Sequence, residues 1–579
     1  MSSQAFISNA TATTLAAVGD GYSVPRMPTA QRLAIVFTTS DQGMMVYDTT
    51  LNNLFIWTGA AWESVPASGD AGPNGAIQYN DGGVVVGDAN LTWNKTTQKL
   101  TVSGTVEIWD GPGAGSDNVG VGRLALALQT TGSQNTAVGF NSGNNLTTGA
   151  SSAFLGTNAG AGVTTGGSNV AVGASALSTS GGGVFHTGSN NVAVGNSALF
   201  SNQIITGADN IAIGRDTLRT LSSGANNIAI GLNAINSTAA TTGSDNVGIG
   251  RDTFRNLSSG ASNVAIGRGA LNNITTSSEN VAIGLFASVS ATGIGNTTVG
   301  ANAGLALSTG TYNVAVGYRA LYSVAAGAAT GQSNIAVGLD SMNSNQPVTG
   351  SNNVGIGTES FRFLASGANN VGVGVGAART IDTGSSNVAV GTNSMNSSAT
   401  ISGSNNIGIG QDTLRSLSSG NNNVAIGRQA LNAVTTAIGN VAIGQSALSN
   451  NAISGSNTAI GNNAMAAASG ADNTGVGASV LTLLTNGSTN VAIGSAAGGN
   501  ITTGSSNICI GVNAGTSAAG NNNELCIGSA TQFVATTAAG SAGYYTTATA
   551  VSTGVLPATC GFIRIYLNGT FAKIPVYAN

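Results

Sequence analysis

The sequence predicts an all-β fold: a repetitive β-solenoid, or parallel β-roll, of about 24 coils with a 17-residue period and small β modules at both ends. Three observations predict it. A five-residue unit of the form Asn-Val-Ala-Ile-Gly recurs 24 times between Asn118 and Gly528. Its usual spacing of 17 residues is too short and too interrupted by glycine for a helical repeat, which needs longer stretches of 3.6-residue periodicity. The composition agrees, because 579 residues with 7% charged side chains cannot solvate an ordinary globular surface, yet 41% hydrophobic residues are too many for a disordered linker. An ordered fibrous repeat remains.

Each position of the unit has a physical reading. The first is Asn in 22 of 24 copies, with Ser152 and Glu524 as exceptions, and the fifth is Gly in all of them. A column of Asn can stack in register, its amides bonding from coil to coil, and the Gly suits a corner that needs positive φ. Strand alternation sets the second and fourth residues, such as Val264 and Ile266, on one face and the third, such as Ala265, on the other. The β-branched pair is expected to fill the interior of the coil. The third residue, almost always Ala or Gly, is expected to meet a symmetry-related copy at close range. Ala and Leu often follow at seven and eight residues past the Asn, as in Ala270-Leu271 and Ala447-Leu448, and a Gly usually stands three residues before the next Asn, as at Gly243, Gly260 and Gly403.

Along the chain, residues 1–30 read as an extended N-terminal arm, residues 31–112 as small β modules, residues 113–528 as the solenoid and residues 529–579 as a C-terminal hairpin that forms a cap or tip. All four tryptophans, Trp57, Trp62, Trp93 and Trp109, lie in the second segment, where they either fill a small core or anchor an attachment surface. At the other end, residues 562–567 and 570–577 flank Asn568-Gly569, a two-residue hairpin turn signal. Such a hairpin can cover the open edge of the last coil.

Chemistry is sparse. A net charge of −4 and a pI of about 4.9 leave no basic surface for nucleic acid, and no apolar run approaches the length that membrane insertion requires. The start, Met1-Ser2-Ser3-Gln4, lacks the pattern of a secretory signal. The single histidine, His186, follows Gly181-Gly182-Gly183 and is expected on a surface loop. Asp216, Asp252, Glu359 and Asp412 are copies of one repeat position, which reads as a structural corner or a salt link rather than as a catalytic carboxylate pair. Neither an enzyme site nor a cofactor or metal site is expected. Cys509 and Cys526 occupy the third position of consecutive units, about one strand spacing apart; a disulfide is conceivable there, and two reduced buried thiols are the preferred reading.

Six periods, those starting at Asn169, Asn191, Asn227, Asn313, Asn334 and Asn387, exceed 17 residues, always between the Leu-type position and the closing Gly. Insertions at one place in a coil project from one face, and loops on a rigid scaffold commonly carry recognition. Phe185, His186, Phe200, Gln203 and Gln346 are the candidate receptor-facing residues, against the alternative of tolerated surface variation and of contact through the distal tip.

The strings Asn440-Val441-Ala442-Ile443-Gly444 and Asn457-Thr458-Ala459-Ile460-Gly461 resemble the head repeats of trimeric autotransporter adhesins, which form a trimeric left-handed parallel β-roll. The longer coils here, with Ala-Leu and links such as Thr242-Gly243-Ser244-Asp245-Asn246, look more like the repeats of phage tail-fibre proteins. Gly75 to Gly83, with Leu91-Thr92-Trp93-Asn94 and Lys99 to Val102, is similar to a module that precedes phage fibre shafts, and Gly43 to Asp48 through Trp57 and Trp62 is similar to a β-module of phage structural proteins. The resemblance implies a homotrimeric tail fibre of the virion, assembled in the host cytoplasm and bound to other tail or baseplate proteins through the N-terminal region. It implies adhesion to a glycan or envelope receptor of the host. A passive spacer, a head or collar fibre, and a polysaccharide-cleaving tailspike are the alternatives.

Overall fold

The computed structural model describes residues 24–36, 38–65, 76–81, 84–94, 99–102, 106–109, 117–179, 185–305, 307–323, 329–450, 454–528, 533–536, 544–546, 559–567 and 570–577. They fall into two compact units, residues 1–276 and 277–579.

In the first unit, nine three-residue strands from Val119–Val121 to Val264–Ile266 stack in parallel, each paired with the next in the chain. In the second, fifteen strands from Val281–Ile283 to Glu524–Ile527 do the same. Every one of these strands begins at the second position of an Asn-Val-Ala-Ile-Gly unit or, for Glu524–Ile527, at the first. The register keeps like positions opposite one another even across the long periods, as where Val170 pairs Val192 and Val314 pairs Ile335. The fold is therefore the all-β parallel solenoid that the repeat predicts.

The Asn column is the inner seam of this stack. Asn423 Nδ2 donates to Asn406 Oδ1 at 3.0 Å and to the Ala437 carbonyl of its own coil at 2.8 Å, while Asn423 Oδ1 accepts the Asn440 amide at 3.1 Å. The Asn423 amide thus joins three coils and is wholly buried. Glu524 ends the column: its amide donates to Asn507 Oδ1 at 2.8 Å and its carboxylate accepts from the Ser517 amide at 2.7 Å and from Asn521 Nδ2 at 2.7 Å.

The sidedness of the strand is the reverse of the expectation. Ala265 is buried, and Val264 and Ile266 on either side of it are only half-buried; the same pattern runs through both units. The third residue points into its own coil, not at a symmetry-related copy. The reason lies in the turn that follows the Gly. Residues seven and nine of the coil take positive φ, for example Asp412 at 56° and Leu414 at 48°, and this tight path swings the ninth side chain inward. The ninth and twelfth residues, such as Leu414 and Leu417, fill the interior, and across the strand they leave room for little more than a methyl group.

Where the third residue is large, its neighbours shrink. Phe154 occupies that position, and the ninth residues of its own and the preceding coil are Gly160 and Gly143, where a Cβ would meet the Phe154 ring at 2.4 and 2.8 Å. Where the ninth residue is Phe361, the third residue of the next coil is Gly372, whose Cβ would lie 2.6 Å from that ring. Both columns share one core.

The ends differ from the shaft. Arg26–Met27 pairs in parallel with Met45–Asp48, which continues antiparallel to Asn53–Trp57 and Trp62–Val65. Arg32, on the helix Thr29–Ala34, pairs its Nε with Asp48 Oδ2 at 2.8 Å and lays its guanidinium 3.7 Å from the Phe55 ring centre. Burial would raise the Asp48 pKa, but hydrogen bonds from Leu51, Arg32, Thr29 and Thr50 outweigh it and hold the carboxyl at about 2. A meander of Ala76–Asp81, Val84–Asn94, Lys99–Val102 and Val106–Trp109 then runs into the first rung, with Ile108 opposite Val121. At the far end, Phe533–Thr536 lies antiparallel against Glu524–Ile527 and so covers the last parallel strand. The expected hairpin strands, Thr559–Leu567 and Thr570–Tyr577, pair antiparallel as a separate two-stranded sheet; the turn residues Asn568 and Gly569 lie outside the described residues.

Candidate functional site

The insertions sit on rungs that stay paired. Isolated parallel bridges join Thr179 to Ser201, Leu221 to Thr241, Ser323 to Ser344 and Ile381 to Ile401, so the long coils are guided by their neighbours on both sides of the added residues. Residues 180–184 and 324–328 lie outside the described residues. Phe185, Gln203 and Gln346 are exposed. Gln346 is held by its backbone, its amide donating to Ser344 Oγ at 3.1 Å and its carbonyl accepting from Ser323 Oγ at 3.2 Å.

Phe200 is half-buried, with the Arg219 guanidinium 5.6 Å from its ring centre. The two flank an open groove of about 340 Å³ that Asn202, Thr220, Asn236, Ser237 and Thr238 complete. An aromatic face beside amides, hydroxyls and one guanidinium can stack on a sugar ring and bond its hydroxyls.

His186 departs from the expected surface loop. The residue expected on the surface is buried, in the interior column that Ile205 and Leu221 occupy in the following coils. The Ile205 amide donates to His186 Nδ1 at 3.1 Å, so the neutral ring carries its proton on Nε2, which points at the Ser178 carbonyl 3.4 Å away. Burial lowers its pKa to about 4, against the opposing hydrogen bond to Ser178. A folded value below the ordinary 6.5 means that the neutral ring's contribution is present above that pH and is lost as the pH falls towards 4. Over that window the chain should lose on the order of 3 kcal/mol of stability. Urea unfolding at pH 7.5 and 4.5 checks this: the difference should vanish in His186→Leu, which restores the side chain usual in that column.

The repeated carboxylates sit in corners. Asp216, Asp252, Glu359 and Asp412 have φ of 56°, 58°, 56° and 56°, and each faces arginine. Arg415 lies 3.0 Å from Asp412 within one coil, whereas Arg379 reaches 3.1 Å to Glu359 of the preceding coil. Arg319 and Asp340 make the same kind of link between coils at 2.8 Å. No group of three His, Cys, Asp or Glu side chains able to hold a metal occurs among the described residues.

Cys509 and Cys526 face each other in register as buried free thiols. The hydrogen bond between them, followed by burial, holds Cys526 protonated far above the ordinary thiol range.

Of the four tryptophans, Trp57 and Trp62 stack edge to face at 5.7 Å and are half-buried in the N-terminal sheet, with Trp57 Nε1 donating to the Thr38 carbonyl at 3.0 Å. Trp93 is exposed. Trp109 ends the strand Val106–Trp109, and its side chain lies outside the described residues.

In each unit the parallel strands stack in register from coil to coil, and a stack of this kind defines a structural solenoid protein. Residues 7–80, which include the N-terminal sheet, match the family model described as a phage tail like trimerisation region. That match and the solenoid together fit a phage tail fibre with β-roll repeats that associates as a trimer. No curated protein and no solved structure matches the chain. No helix among the described residues is long and apolar enough to cross a membrane.

Proposed function

We propose that this chain is a non-enzymatic tail fibre that fastens the phage particle to a glycan or envelope receptor on its host. The observation that carries the reading is the placement of every insertion at one point of the coil, on a shaft whose N-terminal residues match a tail trimerisation region. Three chains would repeat the same weak contact, and avidity would supply the affinity. The Trp57–Trp62 sheet is the end assigned to the virion, and the C-terminal hairpin end is assigned distally.

Particles carrying Phe200→Ala with Gln203→Ala and Gln346→Ala should adsorb to host cells on the order of tenfold more weakly while incorporating the fibre normally. Unchanged adsorption would favour a passive spacer. Release of oligosaccharides from purified host capsule by the wild-type chain would favour a tailspike enzyme and overturn the non-enzymatic part of the reading.

A further inference from the structure

The outward face of the sheet is built for burial. Its second and fourth positions hold Val or Ile in nearly every rung, with four Thr, one Ala and two Leu as the exceptions, and no charged residue occurs in either column from Val119 to Ile527. These side chains are not covered by their own chain: Ile356 is 41% exposed, Ile409 39% and Ile510 41%. In the coil of Ile409 every other exposed residue is polar, namely Gln411, Arg415, Ser419 and Asn422. Exposed apolar residues also stand elsewhere, such as Leu339, Val375 and Leu483, but the sheet face repeats them from rung to rung. Over the fifteen rungs of the second unit the face offers on the order of 1,000 Å² of apolar surface, against roughly 300–600 Å² for the largest patch of a typical monomer and roughly 800 Å² per partner in a stable interface.

We propose that this Val/Ile face is where copies of the chain meet, three sheets turning their outward faces to a common axis. The inference rests on the reading of the chain as a trimeric fibre and assigns the surface that makes the trimer. Its occupant follows from the repeat. A partner must offer an apolar match at every rung, at about 4.8 Å intervals over the length of the sheet, and a second copy of the same solenoid does so in register. The match of residues 7–80 to a trimerisation region supplies the means of bringing such copies together in that register.

Cysteine cross-linking of the full-length chain tests the assignment. Ile443→Cys, on the face, should yield covalent dimers under a mild oxidant well above the background of the wild-type chain's three cysteines, while Gln445→Cys, exposed two residues further on, should not. Ile426→Lys combined with Ile443→Lys should lower the light-scattering mass from three chains to one with the far-ultraviolet spectrum retained; Leu483→Lys, exposed and off the face, should keep three. If the lysine pair unfolds the chain, the cross-link decides. A trimeric wild type together with an Ile443→Cys variant that fails to cross-link overturns the face assignment and leaves the trimer standing. A wild-type monomer overturns the trimer, and this inference with it.

Discussion

Gly427→Ala should unfold the coils around it at a temperature well below that of the wild type, with a loss of about 3 kcal/mol or more. Gly427 has φ of 121°, a region closed to side-chain-bearing residues, and a Cβ there would stand 2.7 Å from both the carbon and the oxygen of the Gly444 carbonyl. Backbone strain of this kind is worth about 1–3 kcal/mol by itself. The contact adds to it, because the opposing atoms are backbone fixed in the next rung and cannot swing aside. Gly439→Ala is the matched control: its φ of 73° is close to the 58° and 60° that Asn422 and Ser456 adopt at the same place in neighbouring coils, and the nearest atom to its Cβ is 4.0 Å away. It should lose about 1 kcal/mol. Thermal unfolding followed by circular dichroism separates the two, and equal losses would mean that rung-to-rung contact at the Gly column is not what fixes glycine there. Since a solenoid's stability is a sum over neighbours, the lesion should also divide the melt into two steps.

Much of this architecture was legible because the repeat is read by counting. The strand positions, the in-register Asn column and the Gly corner all follow from a unit that keeps its Gly in every copy and its Asn in all but Ser152 and Glu524. Sidedness does not follow, because period-2 alternation says which residues share a face and not which face is inside. Hydrophobicity then assigned Val264 and Ile266 to the interior. What decided the matter was the turn, which holds Leu414 and its equivalents at positive φ, a conformation that leucine seldom adopts and that burial enforces here. A signal was present nonetheless: Phe154 among Ala residues, with Gly143 and Gly160 in place of Leu, is a volume exchange that only a shared core explains. His186 was misplaced for a related reason. Its loop surroundings suggested a surface, but counting two back from the closing Gly188 gives it the place of Ile205 before Gly207 and of Thr241 before Gly243, both of them buried. The exposed residues Phe185, Gln203 and Gln346 were legible from the insertions alone.

The Asn column should be where single substitutions cost most among the polar residues, and three replacements at Asn423 distinguish why. Asn423→Ala orphans the Asn440 amide and the Ala437 carbonyl and takes a donor from Asn406 Oδ1, all in the buried seam. At about 1–3 kcal/mol for each unsatisfied group, the loss should be about 3 kcal/mol or more. Asn423→Ser should be milder, because Ser152 stands in this column and its Oγ accepts the Asn169 amide at 3.1 Å. Asn423→Asp keeps the acceptor for Asn440 but sets a carboxylate against the Asn406 and Ala437 oxygens, so its folded pKa should rise above the unfolded value. The sign is then fixed: the protonated form, which can donate, stabilises below the unfolded pKa, and that stability is lost as the pH rises through the folded one. Asn423→Asp should therefore be the least stable of the three at pH 7 and should recover towards Asn423→Ser at pH 4. Urea unfolding in a His186→Leu background, which removes the opposing acid sensitivity of the other unit, reads this directly. An aspartate variant with no recovery on acidification would show that the column is held by packing and not by its hydrogen bonds.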